Sequence, residues 1–122
     1  MMDAIIIDSL ECQAHVGVPE SERRRKQKVL IDIELGLDLQ EAGRGDQVKA
    51  TVDYAAVVRQ VKEVVEGGSF KLVEAMAEKI ADAVLWNFRP VSVRVRIRKF
   101  SVPGTASVGV EIKRGTLHFG TH

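Results

Sequence analysis

One lysine stands at an unusual point in the alternation of apolar and polar residues. Val93, Val95 and Ile97 alternate with arginines, which is typical of a β-strand with one buried face. Lys99 keeps the phase of the buried face at the point where the alternation ends. Partial desolvation would favour its neutral amine, which is a usable base. Alternatively, the strand has ended there and the ammonium group reaches water.

Glu74 lies near the start of the second predicted helix. It shares a helical face with Lys71, Glu78 and Asp82, so it either lies on a solvated face or binds a ligand. A carboxylate can accept two parallel hydrogen bonds from an amidine-like N–H pair, such as the edge of a guanine ring, and this contact is strong and orienting. A position near a helix start favours the ionised carboxylate.

Two further side chains have both a structural and a chemical interpretation. Tyr54, the only tyrosine, begins the first predicted helix, and it either packs with the apolar stripe or moves a substrate proton. Glu22 lies in a polar turn, residues 19–26, and is either solvated or functional. The basic half of that turn would suit a phosphate. Aromatic residues make up only 5% of the chain and none alternates with this turn, so no nucleic-acid stacking surface is predicted.

Length and composition predict one domain, residues 1–122, with an ordinary hydrophobic content of 45% and a net charge of +1. The single cysteine, Cys12, suits a reducing compartment. The chain lacks both a signal-peptide pattern and an apolar stretch of about 20 residues, so we expect no membrane partner and a cytoplasmic location. No nucleotide-binding glycine loop is present, and a metal site at His118 and His122 in the tail is not expected.

The elements that must position these residues follow the order β-β-α-α-β-β. Alternating apolar residues predict strands at 5–16, 29–39, 91–97 and 108–112. Stripes with helical spacing begin after Asp53, a plausible N-cap, and after Ser69, which can cap the second helix. Two helices would then cover one face of a four-stranded antiparallel sheet, an α+β fold.

The uncovered face of this sheet carries charges of both signs. Its predicted members are Asp32, Glu34, Arg94, Arg96, Arg98 and Glu111. Opposite charges on neighbouring strands stabilise a sheet. The face is either solvated or lines the inside of a ring of subunits.

Six segments follow one another along the chain: Gly17-Val18-Pro19-Glu20-Ser21-Glu22, Gln27-Lys28-Val29, Thr51-Val52-Asp53-Tyr54, Phe70-Lys71-Leu72-Val73-Glu74, Arg98-Lys99 and Val108-Gly109-Val110-Glu111-Ile112. In their order and spacing, these segments resemble the dihydroneopterin aldolase family over nearly the whole chain. The resemblance implies the tunnelling fold, in which the sheets of several subunits form a ring-shaped barrel. It also implies a tetrameric ring, stacked into an octamer, with active sites between neighbouring subunits.

The resemblance further implies a role for each candidate residue. Glu74 anchors the pterin ring, with main-chain groups of Val52, Tyr54 and Val73 completing the pocket. The catalytic residues implied are Lys99, Tyr54 and Glu22, and Glu22 also binds the side-chain hydroxyls of the substrate. The implied reaction cleaves 7,8-dihydroneopterin in folate biosynthesis and uses neither a metal nor an added cofactor.

One position departs from the family pattern. Many of these aldolases have proline directly after the catalytic lysine, whereas this chain has Phe100 and a shortened loop. This leaves an alternative open, a dihydroneopterin triphosphate 2'-epimerase of the same fold. A non-catalytic ring protein that binds a pterin or purine is a further alternative, although the presence of Lys99, Glu74, Tyr54 and Glu22 argues against it.

Overall fold

The computed structural model describes residues 2–115, which form an α+β fold. The strands are β1 (Asp3–Val16), β2 (Gln27–Leu37), β3 (Ser69–Phe70), β4 (Ser92–Lys99) and β5 (Val108–Gly115). The helices are α1 (Glu20–Arg23), α2 (Gln40–Gly45), α3 (Tyr54–Glu66) and α4 (Val73–Phe88), with a 3-10 turn at Val48–Ala50. The strands lie in the order β3-β1-β2-β4-β5. The pairs β1–β2, β2–β4 and β4–β5 are antiparallel, as the alternation predicts.

The core lies between this sheet and the two long helices. β2 and β4 direct every second side chain into it, and α3 contributes Val57, Val61 and Val65 at helical spacing. Met76, Ile80 and Val84 of α4 are fully buried on the same layer. Cys12 is buried in this core, and burial raises the pKa of its thiol to about 11. Apolar burial on one sheet face therefore fixes which side chains of each strand point outward.

Several local expectations were wrong. A fifth strand, β3, pairs in parallel with the end of β1, so the sheet is mixed and has five strands. Ser69 lies in β3 rather than capping α4, whose N-cap is Leu72, without a side-chain hydrogen bond. Leu39 and Val91 lie outside the strands, because β2 ends at Leu37 and β4 begins at Ser92. The predicted cap Asp53 is confirmed, since its carboxylate accepts from the N–H groups of Ala55 and Ala56.

A bulge in β1 explains why its apolar residues change phase. Ile5 and Ile7 pair in register with β2, and the register shifts before Leu10. Ser9 takes a positive φ of 57°, and its N–H donates to the Asp32 carboxylate at 2.7 Å. The bulge returns Leu10 to the side of the sheet that faces the helices.

The opposite sheet face carries the predicted charges, and four of them form ion pairs. Arg94 lies 3.3 Å from Glu34, its partner in register, and Arg98 lies 3.2 Å from Asp32, two residues away from its partner. Such direct and diagonal pairs hold neighbouring strands in register. None of the helices described in residues 2–115 is long and apolar enough to cross a membrane.

Gly109 is required where β5 meets β4 beside Lys99, because a Cβ atom there would overlap the carbonyl oxygen of Ile97. We expect Gly109→Ala to destabilise the fold by about 1–3 kcal/mol or more. Gly43→Ala is the matched control, since nothing lies within 4 Å of the added Cβ in helix α2. Urea unfolding monitored by circular dichroism measures both. Equal midpoints for the two variants would contradict this account of Gly109.

Candidate active site

Four strands have one of their ends at the same end of the sheet. β1 and β4 finish there, and β2 and β5 begin there. Val29 pairs with Cys12 on one side and with Lys99 on the other. Lys99 therefore lies at the open end of the core layer, where the apolar face of β4 runs out.

At this end of the sheet Lys99 forms an ion pair with Glu22. Its Nζ lies 3.0 Å from Glu22 Oε2, and the two side chains keep only 17% and 27% of their exposure. The sequence left both an exposed and a partly desolvated ammonium open, and the structure favours the second. The contact joins residues 77 positions apart, so it depends on the complete sheet.

Three side chains donate to the same oxygen of Glu22. Besides Lys99, these are Gln27 Nε2 and Ser101 Oγ, each 3.1 Å from Oε2. The hydrogen bond from Gln27, followed by that from Lys99, holds the pKa of the Glu22 carboxyl below its usual value, against the opposing effect of partial burial. Glu22 is therefore held as a carboxylate with a defined orientation.

The turn that carries Glu22 is shaped by its neighbours. Helix α1 occupies part of the segment that was predicted as a polar turn. Arg23 donates to the carbonyl oxygens of Gly17 and Val18, and His15 Nδ1 lies 3.1 Å from the Arg23 carbonyl oxygen. A Cβ on Gly17 would lie 2.5 Å from Glu22 Oε1, so the absence of a side chain there makes room for the carboxylate.

Strand β3 ties the start of α4 to this turn. The N–H of Gly17 donates to the carbonyl oxygen of Phe70 at 3.0 Å. Glu74 follows four residues later, which limits its Cα to about 14 Å from that of Phe70. It lies in the first turn of α4, is exposed, and makes no hydrogen bond or ion pair within residues 2–115. Val73 immediately before it is partly buried against the core.

Tyr54 lies away from the strand ends that carry Lys99. Near its C-terminus, α3 contacts β1, since Lys62 donates to the Glu11 carbonyl oxygen and the Gln13 N–H donates to Glu66. Because these contacts advance together along both elements, α3 runs in the direction of β1. Tyr54 begins the helix about 18 Å before Glu66, so its backbone lies well away from the strand ends.

The exposure of Tyr54 separates the two interpretations of this residue. Its side chain is 65% exposed, so it does not pack in the apolar stripe. Val52 is partly buried against the core. One subunit thus brings Glu22 and Lys99 together and links their turn to β3, just before α4 with Val73 and Glu74, whereas its own Tyr54 lies away from this pair.

Gln27 and Ser101 were not among the predicted site residues. Ser101 is two residues after Lys99 and shares its phase, which is a usable signal. No such signal identifies Gln27 as a donor to Glu22, because that contact depends on how α1 folds back. In residues 2–115, no three His, Cys, Asp or Glu side chains group as a metal site, and His118 and His122 lie outside the described residues.

Together these groups can bind and orient a small polar ligand and move protons. Glu22 and Lys99 pair a fixed negative charge with an ammonium group that can exchange a proton with a ligand or water. Glu74 offers an unoccupied two-point acceptor next to a helix start.

Comparison with known proteins identifies the family. The family model "FolB: Dihydroneopterin aldolase" matches residues 5–113. The dihydroneopterin aldolase of Bacillus subtilis is 37% identical, over 93% of this chain and 98% of the relative. The crystal structure of the Escherichia coli dihydroneopterin aldolase in complex with neopterin has a TM-score of 0.89 and 36% identity, covering 93% of this chain and 100% of that chain. The chain belongs to the dihydroneopterin aldolase family.

Proposed function

We propose that this protein cleaves 7,8-dihydroneopterin by a retro-aldol reaction to 6-hydroxymethyl-7,8-dihydropterin and glycolaldehyde, a step of folate biosynthesis. The observation that carries the proposal is the Lys99–Glu22 pair, which lies at the end of the core layer with a 3.0 Å contact. The family membership of the chain supports the same reaction. So does the neopterin complex of the E. coli relative, because neopterin is the oxidised form of the substrate and carries the same side chain.

The substrate supplies its own electron sink. The carbon of the C=N bond in the dihydropterin ring carries the side chain, and protonation of the nitrogen of this bond allows the bond between the first and second side-chain carbons to break. The bonding electrons then form an enamine, while loss of the hydroxyl proton on the second carbon forms the aldehyde. An acid finally protonates the enamine carbon, and the ring nitrogen loses its proton, which restores the C=N bond. These steps need general acid–base catalysis, which typically contributes about 10²–10⁴-fold per group.

Each candidate residue takes one role in this mechanism. Lys99, through a water molecule, and Tyr54 share the proton transfers. Glu22 orients the hydroxyl groups or that water, which its fixed carboxylate supports. Glu74 binds the amino group and adjacent ring N–H of the pterin through two parallel hydrogen bonds, and main-chain groups of Val52, Tyr54 and Val73 complete the ring pocket.

The proposal also includes a ring of subunits with the site at each interface. β5 pairs with β4 alone, and β3 covers only His15 and Val16 of β1, so both edges of the described sheet have backbone groups free to pair. Joining β5 of one subunit to β1 of the next would continue the sheet into a closed barrel. Tyr54 of one subunit would then complete the site of its neighbour. We propose four subunits in a ring and two stacked rings.

The family membership favours the aldolase over the triphosphate epimerase as the main activity. Epimerisation is expected as a side reaction, because re-addition of the aldehyde to the enamine inverts the second side-chain carbon. We place the reaction in the cytoplasm, which the free buried thiol of Cys12 supports.

The reaction itself is tested by incubating the purified protein with 7,8-dihydroneopterin and, separately, with its triphosphate. Chromatography separates the epimer from the cleaved pterin, and trapping of the aldehyde measures glycolaldehyde. We expect glycolaldehyde from the unphosphorylated substrate in amounts equal to the hydroxymethyl pterin. Epimer from the triphosphate with no glycolaldehyde from either substrate would replace the aldolase with the epimerase.

The roles of Lys99 and Glu74 are separated by comparing turnover with binding. Lys99→Ala is expected to lower kcat about 10²–10⁴-fold and to leave neopterin affinity measurable. Glu74→Ala is expected to weaken neopterin binding about 100-fold, because two charge-assisted hydrogen bonds are lost. Single-turnover kinetics and fluorescence titration with neopterin measure the two effects.

The matched controls are Lys79→Ala and Glu63→Ala, which remove exposed charges of the same type from the outer helices. Both are expected to behave as the unmodified protein. Unchanged turnover in Lys99→Ala would remove this lysine from the mechanism, and unchanged affinity in Glu74→Ala would remove the ring anchor.

A further inference from the structure

The loop that follows Lys99 at the end of β4 provides the third donor to the Glu22 carboxylate. We propose that Ser101 is a positioning residue, whose hydroxyl fixes the Glu22 carboxylate where it meets the Lys99 ammonium. Its Oγ donates to Glu22 Oε2 at 3.1 Å. The inference rests on the proposed function, in which Glu22 orients the reacting groups, and it assigns a part to the loop that the family resemblance does not.

The alternation of β4 continues beyond its last residue and explains this contact. Lys99 and Ser101 are two residues apart and reach the same carboxylate oxygen. Phe100, between them, points the other way, and its ring lies 5.0 Å from the ammonium group of Lys28. This cation–π contact ties the first loop residue to β2. The two contacts hold the strand end in the place where many family members have a proline with its fixed φ.

Ser101 differs from the other two donors in what anchors it. Gln27 also donates to the carbonyl oxygen of Val16 at 2.8 Å, so its side chain is held at the strand ends independently of its contact with Glu22. Lys99 is the last residue of β4. Ser101 comes from outside the regular structure, and its hydroxyl is the group that joins the loop, residues 100–107, to the candidate site.

The expected consequence concerns orientation rather than ring binding. Without the Ser101 hydroxyl, the Glu22 carboxylate keeps two donors on Oε2 and turns more freely about its last torsion. The negative charge then spends less time where it orients the substrate hydroxyls or water. The contacts to the pterin ring should stay unchanged, because Glu74 and the main-chain groups of the pocket are untouched.

A double-mutant cycle tests whether Ser101 acts through Glu22. We expect Ser101→Ala to lower kcat on 7,8-dihydroneopterin about three- to tenfold, with a smaller change in neopterin affinity, because one hydrogen bond to a charged acceptor is lost. Ser101→Thr, which keeps the hydroxyl, should recover most of the loss. In a Glu22→Ala background the same Ser101→Ala change should have no effect.

Thr105→Ala is the matched control within the loop. The Thr105 hydroxyl donates to the carbonyl oxygen of Val102 and does not contact Glu22, so its removal should leave kcat unchanged. Equal losses from Ser101→Ala with and without Glu22 would overturn the proposal. A loss in Thr105→Ala as large as that in Ser101→Ala would also overturn it, because loop order alone would then account for the effect.

A second readout does not depend on activity. Carbon-detected NMR titration follows the Glu22 carboxyl in the unmodified protein and in Ser101→Ala. Loss of the Ser101 donor should raise the pKa of this carboxyl toward its usual value, and Thr105→Ala should leave it unchanged. No difference between Ser101→Ala and the unmodified protein would refute the Ser101–Glu22 contact. If the protein fails to cleave dihydroneopterin while this shift occurs, the proposed reaction is wrong and the contact is correct.

Discussion

The candidate site depends on one electrostatic constraint, which is that an ammonium group at the end of an apolar strand face needs a counter-charge. The alternation of β4 directs Lys99 toward the core layer, where water is partly excluded. An unpaired charge there would be costly, and the carboxylate of Glu22 at 3.0 Å offsets that cost. The fold around Glu22 serves this contact. Helix α1 presents the glutamate, Gly17 leaves room for its side chain, and Gln27 orients its carboxylate.

A second constraint is the direction of the elements. Because α3 runs in the direction of β1, its first residue lies far from the strand ends where Lys99 and Glu22 meet. Tyr54 is exposed there, next to the partly buried Val52. In addition, both edges of the described sheet have backbone groups that are free to pair with another strand. An exposed tyrosine distant from the acid–base pair of its own subunit has a chemical role only if a second subunit contributes the pair, and this is the physical basis for the proposed ring.

Periodicity predicted the parts of the fold that burial determines. The alternation in β2 and β4 and the helical stripes of α3 and α4 predicted the layers, the antiparallel direction of the long strands and the phase of Lys99, because one apolar face has to be covered. Contacts between distant segments lay beyond it. β3 has only two residues, which is too few for an alternating pattern. Ser69 is a residue type typical of helix N-caps, although it pairs with His15 in the sheet. The spacing also left Tyr54 undecided, since an apolar stripe does not reveal where a helix end emerges from the core. Gln27 and Ser101 belong to the site through their contacts with one oxygen of Glu22, and these contacts depend on how distant segments fold together.

The most direct test of the central claim is to combine two variants that each lack one residue of the proposed site. Lys99→Ala and Tyr54→Phe are unfolded in urea, mixed in equal amounts and refolded together, with each variant refolded alone as the control. If Lys99 of one subunit and Tyr54 of the next form each site, about one interface in four of a randomly mixed ring carries both residues. The mixture should then regain about a quarter of the glycolaldehyde release of the unmodified protein refolded in the same way. A mixture as inactive as its two components would contradict a site shared between subunits.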